Sequence, residues 1–159
     1  MRHFRLAVVG LGLLVTSGQA APLQLADLSI SGLAWGADTA EARQALGAPA
    51  TARNYDALGY DQEHLHLTDW TYSGLSLRFS NGRLLLARLT GRRWRTHRGL
   101  RVGDAVERIA ALYGEPPQEH AVNWYYPITE GRDRRLGLYT VTSHHRVTTI
   151  VIGQISDAT

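Results

Sequence analysis

The chain has 159 residues with 17 basic side chains, all of them arginine, against 14 acids, and it contains no cysteine. Without cysteine there is neither a disulfide nor a thiol nucleophile, so an exported chain of this kind must hold itself together by core packing alone. The composition is that of an ordinary globular protein, with no low-complexity segment and one long apolar run, at the start.

That run begins the chain in order. "MRHFR" is cationic, "LAVVGLGLLV" is apolar for ten residues, and "TSGQA" ends on small residues. This pattern predicts a secretory signal peptide over residues 1–20, cleaved between Ala20 and Ala21. Ten apolar residues fall short of the roughly 20 that a spanning helix needs, and no cysteine follows to carry a lipid, so no membrane anchor is expected. Removing Arg2 and Arg5 leaves 139 residues with 15 arginines and 14 acids. At this size about two-thirds of the unfolded surface is buried on folding, enough for one domain or two fused halves. The charge is unevenly placed: residues 70–103 hold eight arginines and no acid, while both flanking segments are net acidic. Such segregation implies a directed surface field.

After an N-terminal strip (21–32), the chain divides into a first unit (33–91), a basic connector (92–99), a second unit (100–155) and a tail (156–159). "GADTAEARQALGAP" (36–49) predicts a short helix capped by Asp38 or Thr39 and ended by Gly47 and Pro49. The long stretch "ATARNYDALGYDQEHLHLTD" reads as a loop. Trp70 and Tyr72 then share one face of a strand, and Leu75, Leu77 and Phe79 alternate with polar residues on the next. Asn81-Gly82 predicts a tight hairpin into the return strand Arg83–Leu89.

Sixty-seven positions after the first helix pattern comes "GDAVERIAALYGEP" (103–116). Asp104 is its cap candidate, and Val106, Ile109 and Leu112 or Tyr113 are spaced for one buried face. Trp124 and Tyr126 mirror Trp70 and Tyr72; Leu136 and Leu138 mirror Leu75 and Leu77; "SHHR" is a turn before "VTTIVIG". The expected fold is therefore α+β: two similar repeats, each a helix and a three-stranded antiparallel meander, sharing or stacking their sheets.

The order G-x(10)-G-x-P, then W-x-Y, then two strands joined by a tight turn resembles the repeat of β-lactamase inhibitor proteins. It is also similar to the domain of the small outer-membrane lipoproteins called SmpA, OmlA or BamE. The resemblance covers Leu33–Leu89 and Leu100–Gly153. It implies a rigid scaffold that binds another protein through one sheet face and its loops. The chain differs from the lipoproteins in lacking a lipidated cysteine and from the inhibitors in lacking disulfides.

Candidate site residues fall in four places. His64 and His66, at i and i+2 with Asp61, Glu63 and Asp69 near, are weak metal-ligand candidates. The alternative is a polar loop entering a strand whose Leu65 and Leu67 face the core. Tyr55, Asp56, Tyr60, Asp61 and Glu63 make an acidic, tyrosine-bearing loop suited to a basic cleft of a target. Arg92, Arg93 and Arg95 around Trp94, with Arg98 and Arg101, are either an anion-binding surface or a solvated connector whose Trp94 covers the seam. Tyr125 lies opposite Trp124 and Tyr126 on its strand, so it is expected to be exposed, and aromatic and arginine side chains dominate protein interfaces. No G-x-S-x-G elbow and no glycine-rich phosphate loop follows the signal, which argues against an enzyme.

The functional expectation is a soluble periplasmic or secreted protein-binding module, without cofactor, that neutralises a partner enzyme or toxin. Alternatives are an envelope-assembly accessory and a histidine-dependent metal-binding protein. Export argues against nucleic acid as a partner.

Overall fold

The computed structural model describes residues 20–59, 62–115, 119–120, 123–128 and 136–155. The expected signal peptide, up to residue 19, and the tail 156–159 lie outside the described residues. The strip 21–32 is ordered: a 3-10 turn (Leu25–Asp27) leads into β1 (Ser29–Ile30), which forms a small hairpin with β2 (Leu33–Ala34). Ser31 and Gly32, at φ 48° and 93°, form its two-residue turn.

Helix α1 (Thr39–Leu46) follows, then β3 (Thr51–Leu58), β4 (His64–Tyr72), β5 (Leu75–Ser80) and β6 (Arg83–Leu89). Helix α2 (Glu107–Tyr113) precedes β7 (Glu119–His120), β8 (Asn123–Pro127), β9 (Leu136–Ser143) and β10 (Arg146–Gln154). The last eight strands make one antiparallel sheet in the order β3-β4-β5-β6-β10-β9-β8-β7.

The expected α+β class of two helix-plus-three-stranded repeats is corrected by this architecture. The fold is predominantly β, with α-helices of only eight and seven residues set against a continuous eight-stranded sheet. The principal cause is the segment 51–58, read from the sequence as a loop. It is an edge strand whose side chains are exposed or half-buried on both faces, so it carries no period-2 apolar signal.

Local chemistry explains the helix ends. Asp38 Oδ1 accepts hydrogen bonds from the N–H groups of Ala40 and Glu41, both at 2.9 Å, and Glu41 reaches back to the Asp38 N–H at 2.7 Å. Asp104 does not cap α2 in this way. Its carbonyl accepts from Val147 N–H and its carboxylate from Arg101 N–H, so it belongs to the approach segment and not to the helix. At the C-terminal ends, Gly47 and Gly114 both take φ 80°. Their carbonyls accept the hydroxyls of Tyr72 (3.0 Å) and Tyr126 (2.8 Å), respectively, tying each helix to the sheet.

Burial alternates along the strands, and the register turns that alternation into rows. On the helix-covered side, Trp70, Leu77, Ala87, Ile152, Leu138 and Tyr126 are successive cross-strand partners, and all six are buried. Ala42 of α1 and Ile109 and Tyr113 of α2 pack into the same core. Burial of this row and its neighbours is the main stabilising term. Leu65 and Leu67, expected in this core, have the opposite parity to Trp70. They lie on the other face, and His64 and His66 take the helix-side parity.

The two halves of the sheet meet at β6 and β10, where Leu86–Leu89 pair with Ile150–Gly153. The ladder shifts register beside this junction, leaving Leu85 opposite no residue of β5. Its carbonyl accepts the Trp35 indole N–H at 3.0 Å. A Cβ on Gly153 would come within 2.3 Å of that same oxygen, and Gly153 sits at φ +117°, so only glycine fits. Gly153→Ala should therefore destabilise the fold by about 2 kcal/mol or more through strain and overlap. Urea denaturation measures this; an unchanged midpoint would contradict the role given to the junction.

Candidate functional site

The face of the sheet away from the helices carries a different set of residues. One row runs Thr71, Ser76, Arg88, Val151, Tyr139, Tyr125 from β4 to β8. The next runs Arg53, Asp69, Arg78, Leu86, Gly153, Gly137. Arg88 is exposed, Tyr125 and Tyr139 are half-buried, and Val151 is buried without belonging to the main core. The two glycines leave a strip free of side chains, and the Tyr125 ring lies beside Gly137. Asp69, Ser76, Arg78, Leu86, Arg88 and Gln154 are among the residues around a groove of ≈ 340 Å³ on this face.

Three side chains on neighbouring strands form a polar network here. Arg78 grips Asp69 with two hydrogen bonds, Nε to Oδ1 at 2.8 Å and Nη2 to Oδ2 at 3.1 Å. The Tyr55 hydroxyl donates to Asp69 Oδ2 at 3.0 Å, and the Arg53 guanidinium lies 5.4 Å from the centre of the Tyr55 ring. The Arg78 hydrogen bonds hold the Asp69 carboxyl below its ordinary value against the opposing effect of burial, helped by Tyr55. Burial, with the Asp69 hydrogen bond, pushes the Tyr55 hydroxyl up. On this network and the row beside it, Arg53, Arg78 and Arg88 outnumber Asp69, so the described face is net positive.

The residues singled out in the sequence scatter. Tyr55 and Tyr125 lie on the open face. Asp56 has the opposite parity and pairs with His66 Nδ1 at 2.5 Å, both side chains more than 70% exposed. Glu63 and His64 are exposed near the β3–β4 turn, and Tyr60 and Asp61 lie outside the described residues. Among the described residues no three histidine or acidic side chains gather as a metal-ligating group.

In the connector, Arg92, Arg93 and Arg95 are exposed, but Trp94 is buried. The Trp94 indole donates to the Ser73 carbonyl at 2.8 Å and packs edge-on against Tyr72, with Arg93 over its ring at 4.3 Å. Arg98 is structural. Its five N–H donors reach Asp27 Oδ1 and Oδ2 and the carbonyls of Ala21, Pro22 and Leu112 at 2.5–2.9 Å. The N-terminal strip is thereby fastened to the C-terminal turn of α2. Burial pushes the Asp27 carboxyl up, but the Arg98 and Gln24 hydrogen bonds and the Arg98 charge outweigh it, and the net shift is downward. Beneath Arg98, burial pushes Tyr113 up to about 12.

Arg53, Asp69, Arg78, Arg88 and Tyr139 are therefore members of the open face that sequence reasoning did not assign to it. The signal existed: Ser76 and Arg78 alternate with buried leucines, and Tyr139 alternates with Leu138 and Thr140.

No family model matches the chain, and no curated protein matches it. One solved structure, a 1.5 Å crystal structure of an extracellular protein containing a SCP domain from Bacillus anthracis str. Ames, is similar over 77% of this chain, with a TM-score of 0.50 and 11% identity. This chain spans 45% of that one, and the likeness is one of fold alone. Among the described residues no helix is long and apolar enough to cross a membrane.

The lowered carboxyls predict an acid response. Asp27 and Asp69 bind fewer protons folded than unfolded, so their stabilisation is complete above about pH 5 and is lost as pH falls through the lowered folded values. Asp27→Asn should flatten part of the stability loss between pH 5 and pH 2, whereas Arg98→Ala should cost about 3 kcal/mol at pH 7 by stranding a buried carboxylate. Urea titrations across pH check both; an acid slope in Asp27→Asn equal to that of the unaltered chain would contradict the assignment.

Proposed function

We propose that this chain is an exported, non-enzymatic protein-binding module of the inhibitor or immunity kind, docking its partner on the open sheet face. The observation that carries the reading is the row Thr71, Ser76, Arg88, Val151, Tyr139, Tyr125, which sets arginine and tyrosine side chains side by side across the sheet. Residues of these types supply most of the energy at protein interfaces, and a rigid sheet presents them at low entropic cost. Export rests on the leader pattern of residues 1–20 and places the partner in the periplasm or outside the cell. The protein-neutralising role is also supported by the resemblance of the sequence to inhibitor repeats. The positive network on this face favours an acidic partner surface and an association rate that falls with salt.

The test is capture of the partner from the native host with the tagged chain and two variants. Arg88→Glu combined with Tyr139→Ala should weaken retention of a stoichiometric partner about 100-fold, roughly 2.7 kcal/mol. Gln44→Arg, at an exposed position of helix α1, should leave it unchanged. Undiminished retention by the sheet-face variant, or loss with the helix variant, would overturn the reading.

A further inference from the structure

The basic connector has a feature that the sheet face does not use. Where the β1–β2 turn folds against residues 95–99, a pocket of ≈ 380 Å³ opens, lined by Ser29, Ser31, Arg95, His97 and Arg98 with the glycines at 32 and 99. We propose that this pocket binds a phosphate group, either free or as the headgroup of a lipid.

Its volume falls in the small-ligand range of about 300–1,000 Å³. Its lining holds two arginines, a histidine and three hydroxyl side chains, Ser29, Ser31 and the buried Thr96, and no carboxylate. These basic side chains are not equivalent. Arg98 spends all five donors on Asp27 and three backbone carbonyls, so it shapes the wall and its charge is already matched. Arg95 is exposed, and its guanidinium makes no hydrogen bond to the described residues. It is thus a planar fork available for two phosphate oxygens. His97 turns Nδ1 toward the Ser29 hydroxyl at 3.4 Å, leaving Nε2 unpartnered among the described residues. The Ser31 hydroxyl supplies a further donor. A guanidinium fork, an imidazole nitrogen and two hydroxyls surround a tetrahedral anion from several sides, whereas a planar carboxylate offers only two oxygens to meet them.

The walls are held before any ligand arrives. Ser31 N–H donates to the Arg95 carbonyl at 3.0 Å, and Ile30 bridges Thr96. Thr96 is buried, with its hydroxyl 2.7 Å from that of Tyr113 and accepting the Leu100 N–H. The exposed Arg92, Arg93 and Arg101, close to the pocket in the chain, add positive charge to the connector.

The probe is inorganic phosphate, titrated at constant ionic strength against chloride and followed by backbone amide NMR. Saturating shifts centred on Ser29, Ser31, His97 and Gly99 are expected, at least tenfold weaker in Arg95→Ala and unchanged in Arg43→Ala on α1. Arg95 is exposed, so its variant should keep the far-UV spectrum of the unaltered chain. Equal phosphate binding by Arg95→Ala, or shifts elsewhere only, overturns the site. A second arm distinguishes sources. Co-sedimentation with phosphatidic acid vesicles but not phosphatidylcholine, lost in Arg95→Ala, assigns the headgroup. Free phosphate binding without vesicle binding assigns a soluble phosphate compound. Binding of neither probe overturns the proposal.

Discussion

Four residue pairs between β6 and β10 join everything else together. Without them, β3-β4-β5-β6 and β10-β9-β8-β7 would be separate four-stranded sheets, each with an unpaired inner edge and half a core. With them, apolar rows run from Trp70 to Tyr126 without a break, and both short helices pack on one side of a single sheet. The joint depends on a single glycine. Leu85 leaves the β5 ladder, points its carbonyl at the Trp35 indole and at the Gly153 backbone, and tolerates no Cβ there.

The same joint creates the open face. A row such as Ser76, Arg88, Val151, Tyr139 exists only because β6 and β10 are hydrogen-bonded. Helices of seven and eight residues are too short to be stable alone, and they hold because Tyr72 and Tyr126 anchor their C-terminal glycines to the sheet. Away from the sheet, the Arg98–Asp27 pair performs a comparable task for the N-terminal strip. The connector is therefore neither a loose tether nor a uniform basic patch. Trp94 and Arg98 are built into the fold, and Arg92, Arg93 and Arg95 face solvent.

What could be read from the sequence depended on how strongly each feature constrains local chemistry. The Asp38 cap, the Asn81-Gly82 turn (φ 49° and 77°) and the Leu75–Phe79 alternation are set by backbone sterics and one-sided burial, and the residues alone announce them. Strand β3 was not readable because an edge strand buries no complete face, so its polar residues look like a loop. The α+β assignment failed with it, since one unrecognised strand converts a meander into half of a large sheet. The open face was partly legible through Tyr55 and Tyr125. Arg88 and Tyr139 became neighbours only through the β6–β10 and β9–β10 registers, which pair residues far apart in the chain. The Asp104 expectation failed for a related reason: its backbone pairs with Val147, a contact that no local pattern encodes.

The central claim is that the helix-free side of this sheet is the docking surface. Hydroxyl-radical footprinting of the chain with its captured partner tests it most directly, because three tyrosines lie on the claimed face and three buried ones serve as references. Tyr72, Tyr113 and Tyr126 are buried in the free chain and should not change. Tyr55, Tyr125 and Tyr139 should lose reactivity on binding. Protection confined to the helix side, with those three tyrosines as reactive as in the free chain, would contradict the account.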